Sequence, residues 1–146
     1  MFGRALRGSL YPPPTILYRR EKARYEDDGH TQRVRVEGQT AWLSSYVLHD
    51  DRKPLSRWLK SQDRYMLLEV EKLRQTPRGR LGMVDAMRRS KILAPFAVLF
   101  SCLIIKRGIL DGWPGWYYAL QRTLAEILLA IRLTEGELSI DNNQVT

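Results

Sequence analysis

The longest apolar run of the chain, residues 92–105 (ILAPFAVLFSCLII), limits the folds that this sequence can adopt. The run has 14 residues and contains Pro95, whereas a helix needs roughly 20 apolar residues to span a bilayer. We therefore expect the run to be buried or to lie at a membrane interface. Lys106, Arg107 and Gly108 follow it, which is typical of the end of a helix.

Composition narrows the class of protein further. A chain of 146 residues is long enough for one modest domain, and its 44% hydrophobic content permits a packed core. The net charge of +8 favours an anionic partner, such as phosphate, nucleic acid or an acidic membrane surface. Cys102 is the only cysteine, so an intramolecular disulfide is excluded.

Strand signals are confined to the first third of the chain. Residues 31–36 (TQRVRV) alternate between polar and apolar side chains, and Glu37-Gly38 follows as a turn. Residues 41–48 (AWLSSYVL) form a second strand candidate. The pattern predicts an antiparallel hairpin of these two segments, which delivers His49 at its end.

Helical periodicity dominates the remainder. Apolar residues recur at helical spacing from Leu55 to about Gln75, after Pro54 and before a break at residues 76–79. A later helix is expected to start with Asp111 as a cap and Pro114 in its first turn. Its expected apolar face comprises Trp113, Trp116, Tyr117, Leu120, Leu124, Ile127, Leu128 and Ile131, and its expected polar face comprises Gln121, Arg122, Glu126 and Arg132.

The order of these segments predicts an α+β fold, with a short antiparallel hairpin followed by amphipathic helices. No strand–helix alternation builds a nucleotide-binding sheet, and the sequence contains no GxGxxG, P-loop or DxD motif. Residues 136–146 are polar and are expected to form a flexible tail.

An acidic cluster, residues 25–30 (YEDDGH), precedes the first predicted strand. A carboxylate in such a cluster can act as a general base. The alternative is a solvated acidic turn. Because a hairpin returns its ends to one edge, this cluster is expected to converge with residues 49–58 (HDDRKPLSRW) on a single site.

In the second cluster, His49 with Asp50 could ligate a divalent cation, since imidazole and carboxylate both suit manganese-like ions. Arg52, Lys53 and Arg57 follow, and Lys53 and Arg57 lie about one helical turn apart. These cations suit a diphosphate, and the alternative is a solvated basic helix start. Trp58 fits the core, a stacking platform or a lid, of which the core is the commonest.

Basic and aromatic residues also accumulate in the second half. Arg78, Arg80, Arg88, Arg89 and Lys91 are opposed by one acid, Asp85. The aromatic residues of the last helix fit either a core or a membrane interface, and neighbouring arginines favour the interface. The residues expected at a membrane interface are Trp113, Trp116, Tyr117, Arg88 and Arg89.

Four blocks in order resemble bacterial family 2 glycosyltransferases of the GT-A type, most closely membrane-associated members that extend lipopolysaccharide cores or other lipid-linked glycans. The blocks are SLYPPPTILYRR, YEDDGHTQRVRVEG, HDDRKPLSRWLKSQDRY and KRGILDGWPGWYYALQRTLAEILLAIRLTE. The resemblance implies the C-terminal, acceptor-side portion of a GT-A (α/β) fold that lacks its nucleotide-binding half. It divides the chain into an acceptor-side part (1–76), basic amphipathic membrane-associated helices (77–135) and the tail (136–146).

The resemblance also implies an activity for the intact enzyme. It is an inverting transfer of a sugar from a nucleotide sugar to a glycan or lipid-linked acceptor, with Asp27 or Asp28 as base. A divalent metal, Mg²⁺ or Mn²⁺, would be held in part by His49, with the diphosphate on Arg52, Lys53 and Arg57. The expected place is peripheral, on the cytoplasmic face of the bacterial inner membrane, in cell envelope biogenesis. This chain alone is expected to lack donor binding.

A second hypothesis is a non-catalytic module that binds an anionic membrane surface through the basic stretch and the amphipathic helices. Nucleic acid is not an expected partner, because the cations are spread over several elements and no DNA- or RNA-binding motif is present.

Overall fold

The computed structural model describes residues 1–28, 31–45 and 52–144, and the side chains of these except residues 28, 31 and 140–144. In this part of the chain, a two-stranded antiparallel sheet precedes four α-helices. The predicted α+β class is confirmed at this level.

The sheet consists of β1 (Ala23–Asp28) and β2 (Thr31–Val36), with Ala23 opposite Val36 and Asp28 opposite Thr31. The prediction of a strand at 31–36 is confirmed, but the predicted partner at 41–48 is wrong for residues 41–45, which form no strand. Residues 46–48 lie outside the described part. The acidic segment is itself the partner strand, and its Glu26 meets a cation of β2: the Nε atom of Arg35 donates to Glu26 at 2.9 Å.

The first helix, α1 (Leu55–Gln75), has the bounds that the sequence predicts. Pro54 precedes it, and the carbonyl of Pro54 accepts the first backbone hydrogen bond, from the amide of Trp58. At its end, Thr76 closes the last turn by donating through N and Oγ1 to the carbonyl of Lys72. One face of α1 forms a core with the last helix, made of Met66, Val70, Leu73, Leu129 and Leu133.

Two short helices follow, α2 (Met83–Arg89) and α3 (Leu93–Phe100). A π-helical turn (Ser101–Ile105) continues α3, and Arg107 ends it in a left-handed conformation with φ of 57°. The predicted helix in the apolar run 92–105 is confirmed. Cys102 and Leu103 pack against Tyr118 and Ala119 of the last helix in a second core.

The last helix, α4 (Trp113–Gln144), is 32 residues long. It continues past Gly136, where the sequence predicts the start of a flexible tail. Asp111 was expected to cap α4, yet its carboxylate accepts hydrogen bonds from the amide and the guanidinium of Arg7, at 2.9 and 2.8 Å. At the start of α4, the amide of Trp116 donates a hydrogen bond to the carbonyl of Gly112.

The face that α4 buries differs from the predicted apolar face. Small or polar residues reach the interior, and several large apolar residues stay outside. Buried are Gly115, Tyr118, Ala119, Ala125, Glu126, Leu129 and Leu133, whereas Trp113, Leu120, Ile127 and Ile131 are exposed. The prediction of Glu126 on a solvated polar face is therefore wrong. Its carboxylate is buried because it pairs with Arg88. Elsewhere on the buried side the packing is close: a Cβ at Gly115 would overlap the carbonyl oxygen of Gly108, so this contact admits only glycine.

The N-terminal segment lies across this second core. Met1, Leu6 and Leu10 pack against it, and the amide of Leu10 donates to the hydroxyl of Tyr118 at 2.9 Å. The segment is thus joined to α4 by both apolar and polar contacts.

Candidate functional site

The predicted base Asp27 is exposed on β1, where its Oδ1 accepts a hydrogen bond from Nε2 of Gln32 at 3.1 Å. It lines a cleft of about 500 Å³ with the C-terminal half of α1 and the turn after it. The other lining residues are Leu68, Glu71, Lys72, Gln75, Thr76, Pro77 and Arg80. Asp28 pairs with Thr31 in the ladder, and its side chain is outside the description.

The predicted diphosphate ligands lie at the other end of α1. Arg52 and Lys53 precede Pro54, Arg57 is in the first turn, and all three are exposed. No acidic residue lies in that turn, and no side chain of the described residues caps it. Arg57 and Glu71, a cleft residue, are separated by about 20 Å along the helix axis at 1.5 Å per residue. The structure therefore does not bring Asp27 together with Arg57.

The predicted metal ligand, His49, lies outside the described residues, as do Asp50 and Asp51. Within 1–28, 31–45 and 52–144, no group of three or more His, Cys, Asp or Glu side chains is placed to hold a metal ion. Metal binding at His49 stays a prediction. Trp58 is half-buried on α1.

Arg88, expected at a membrane interface, points instead into the helical layer. Its Nε and Nη2 donate to the carboxylate of Glu126 at 3.0 and 2.7 Å, and its Nη1 lies 3.6 Å from Glu69. Burial alone lowers the pKa of Arg88, but the hydrogen bond and charge of Glu126, with Glu69 and Asp85, raise it above its ordinary value. Arg88 is therefore permanently charged and serves as the cation of a partly buried ionic cluster.

Arg89 has an equally structural environment. Its Nη1 donates to the carbonyl of Thr76 at 3.3 Å and its side chain is half-buried, so it ties α2 to the end of α1. Lys91, the last cation of the basic stretch, pairs with Glu137 of α4. Within the stretch, the exposed cations are Arg78 and Arg80, which lie just before α2.

The predicted aromatic residues occupy three different environments. Trp113 is 83% exposed at the start of α4. Trp116 is half-buried and packs against the second core. Tyr117 meets Phe2 edge-to-face with ring centroids 5.0 Å apart. Phe2, Trp113 and Tyr117 line an apolar depression of about 430 Å³ with Pro114 and Leu120.

The sequence did not single out the outer surface of α3 as a site. Its large side chains project away from the core at intervals of three or four residues, and we call them the α3 face: Leu93, Phe96, Phe100 and Ile104, with exposed fractions of 60%, 70%, 58% and 51%. Ile92 and Ile105, which are next to this face in the chain, are also exposed, as is Met83 at the start of α2. The apolar run 92–105 indicates such a surface, but the sequence alone does not distinguish burial in a core from contact with a membrane interface.

Cations bracket the α3 face along the chain. Arg78 and Arg80 precede α2, Lys106 and Arg107 follow the π-helical turn, and all four are exposed. Such an arrangement, apolar in the middle and cationic at the ends, fits the boundary between acyl chains and anionic headgroups. Among the described residues, no helix is both long enough and apolar enough to span a bilayer.

Comparison of the chain with models of protein families, with curated proteins and with solved structures finds no match.

Proposed function

We propose that this chain binds an anionic membrane surface and acts there as the acceptor-side part of an inverting glycosyltransferase. The observation that carries the membrane part is the α3 face, an apolar surface that the fold leaves outside and brackets with exposed cations. The transferase part is supported by the resemblance of the four sequence blocks.

Apolar side chains and cations both contribute to the free energy of membrane binding. Full transfer of a side chain such as Phe96 or Phe100 out of water is worth about 1.5–3 kcal/mol. A cation near an anionic surface adds about 1 kcal/mol, so Arg78, Arg80, Lys106 and Arg107 together add about 4 kcal/mol at low salt. Both contributions are available without refolding, because these residues are already exposed.

Co-sedimentation with vesicles tests the membrane part. We expect the chain to bind phosphatidylcholine vesicles that contain phosphatidylserine much more strongly than pure phosphatidylcholine vesicles, and binding to weaken as salt rises. The double variant Phe96→Glu/Phe100→Glu should lose binding at unchanged circular dichroism, because both side chains are exposed.

Leu67→Glu is the matched control, since Leu67 is an exposed apolar residue of α1 with an exposed fraction of 50%. It should bind vesicles as the native chain does. Equal binding to neutral and anionic vesicles, or equal loss in the control and the double variant, would refute the proposed membrane surface.

The transferase part assigns roles to residues of the first half. Asp27 or Asp28 removes the proton of an acceptor hydroxyl, whose oxygen attacks the anomeric carbon of the nucleotide sugar while the bond to the diphosphate breaks. Arg52, Lys53 and Arg57 neutralise the departing diphosphate. His49 would help to hold a divalent metal, which would supply further positive charge to the leaving group. Asp27 has room for an acceptor, because it lines an open cleft that also holds Lys72 and Arg80.

Asp27 lies beside the C-terminal half of α1, whereas Arg57 lies in its first turn. A single catalytic site therefore requires the hairpin to lie nearer the start of α1 during the reaction. We expect no binding of a nucleotide sugar with Mn²⁺ to this chain alone by calorimetry. In the intact enzyme, sugar transfer that survives Asp27→Asn, Asp28→Asn and His49→Ala alike would rule out these roles.

A further inference from the structure

The outer surface of α4 carries a second exposed apolar pattern, separate from the α3 face. We call it the α4 outer stripe, and it consists of Tyr117, Leu120, Leu124, Ile127, Ile131 and Leu138, of which Tyr117 and Leu124 are half-buried. Successive members are 3, 4, 3, 4 and 7 residues apart, which is the 3.5-residue period of a coiled-coil seam. Leu120, Ile127, Ile131 and Leu138 are 53%, 40%, 57% and 60% exposed.

The stripe lies on the side of α4 that faces away from both cores. The residues that α4 buries, such as Ala119, Ala125 and Leu129, fall on the opposite side of the helix at 100° per residue. At 1.5 Å per residue the stripe runs for about 32 Å. A straight helix drifts by only about 20° per heptad relative to such a pattern, so the whole stripe stays on one side.

Its charge environment differs from that of the α3 face. Residues 113–144 contain Arg122 and Arg132 against Glu126, Glu135, Glu137 and Asp141, a formal charge of +2 − 4 = −2, and no lysine. Both arginines are engaged: Arg122 with Tyr11, and Arg132 with Asp63 and Glu135. An anionic lipid surface is thus a poor partner for this stripe, although the whole chain carries +8.

We propose that the α4 outer stripe pairs with the same stripe of a second copy of this chain, in an antiparallel two-helix coiled coil. The positions flanking the stripe are neutral over most of its length, namely Trp116, Gln121, Thr123, Leu128 and Ala130. A second α4 can therefore approach without like-charge repulsion.

The antiparallel orientation follows from the remaining flanking charges. Glu135 and Glu137 lie at the C-terminal end of the stripe, paired with Arg132 and Lys91 respectively. Antiparallel pairing puts the acidic ends of the two copies at opposite ends of the seam, about 30 Å apart by the length of the stripe. Parallel pairing would place four glutamates together. The pairing uses a different helix from the proposed membrane contact, so neither depends on the other.

Sedimentation equilibrium without detergent tests the pairing. As the chain concentration is raised to about 100 µM, enough to populate even a weak interface, the mass should rise from 17.0 kDa towards twice that value. The variant Ile127→Glu/Ile131→Glu should raise the dimer dissociation constant by about tenfold or more, with unchanged circular dichroism. Leu67→Glu should leave the dissociation constant unchanged.

Cross-linking tests the orientation. Residue 127 is near the middle of the stripe, so in an antiparallel pair Ile127→Cys meets its own copy and should form a disulfide-linked dimer on mild oxidation. Leu138→Cys meets the region of residue 117 and should not. Cys102 is 2% exposed, so it does not compete.

Three results would overturn the proposal. The first is a chain that stays at 17.0 kDa over the whole concentration range. The second is equal weakening by Leu67→Glu and by the stripe variant. The third is a monomeric chain in which Ile127→Glu/Ile131→Glu abolishes vesicle binding, which would assign the stripe to the membrane. Efficient cross-linking through residue 138 would overturn the antiparallel orientation.

Discussion

Replacement of Arg88 by methionine is expected to be among the most destabilising single changes in the helical layer. The side chain of Arg88 is 22% exposed, and those of Glu126 and Glu69 are 5% and 4% exposed. Methionine fills similar space but leaves both carboxylates without this cation. Loss of one partner from a buried ion pair costs about 3–5 kcal/mol.

That cost is a large part of the 5–15 kcal/mol by which domains of this size are stable. For about 150 residues, 1 kcal/mol shifts the melting temperature by roughly 2–4 °C, so Arg88→Met should lower it by about 6–20 °C. The melting temperature of Arg88→Lys should lie between those of the native chain and Arg88→Met, since an ammonium keeps the charge but cannot reproduce the paired hydrogen bonds to Glu126.

Urea unfolding followed by far-ultraviolet circular dichroism measures the effect. A double-mutant cycle with Glu126→Leu separates the pair from its surroundings, because the double variant no longer buries the unpaired Glu126 carboxylate and should recover about half of the loss or more. Arg78→Met is the control, an exposed arginine that should change stability by less than about 0.5 kcal/mol. An Arg88→Met variant as stable as the control would refute the buried cluster.

Three further predictions concern the second core. Gly115→Ala should cost about 3 kcal/mol in urea unfolding or prevent folding, because its Cβ would overlap the carbonyl of Gly108, whereas Gly79→Ala, which has open space around it, should be nearly neutral. Burial raises the pKa of the Cys102 thiol, an effect that Arg122 and Lys106 only partly offset. The native chain should therefore resist a thiol-specific reagent at pH 8. Its free energy of unfolding should fall as pH rises above about 8.5, because the thiol of the unfolded chain ionises at lower pH than that of the native chain. A native chain that reacts as fast as the urea-unfolded chain would contradict the burial. Asp111→Ala should cost about 1 kcal/mol and speed tryptic cleavage before residue 11, because it removes the hydrogen bonds that hold Arg7; unchanged cleavage would contradict this tether.

The elements that sequence predicted well are those fixed by local signals. Pro54 and Pro77 bracket a segment of helical period, and α1 fills the interval between them. Strand β2 follows the alternation of residues 31–36. Strand β1 escaped prediction because consecutive carboxylates disfavour a strand on their own. In the ladder, Glu26 faces Arg33 and bonds to Arg35, and Asp27 bonds to Gln32. These are relations between segments that no local pattern contains.

The candidate site was predictable only in part for a similar reason. The sequence grouped Arg88 with the exposed cations, yet its partner Glu126 is 38 residues away, and only the packing of α2 on α4 brings them together. It also grouped Asp27 with Arg57, on the assumption of a hairpin that ends at residue 48. The hairpin that forms pairs residues 23–28 with residues 31–36, and Asp27 lies beside the C-terminal half of α1.

Helices α3 and α4 both leave large apolar side chains outside the cores. On α4, Gly115, Ala119 and Ala125 lie on the buried side, while Leu120, Ile127 and Ile131 point outwards. A monomer in water gains nothing from such exposed stripes, and contiguous apolar surface of this kind is typical of contact sites. Charge then distinguishes the partners. Along the chain, the exposed cations Arg78 and Arg80 precede the α3 face and Lys106 and Arg107 follow it, whereas both arginines of α4 are already engaged. An anionic membrane therefore suits the α3 face, and an identical helix suits the α4 outer stripe.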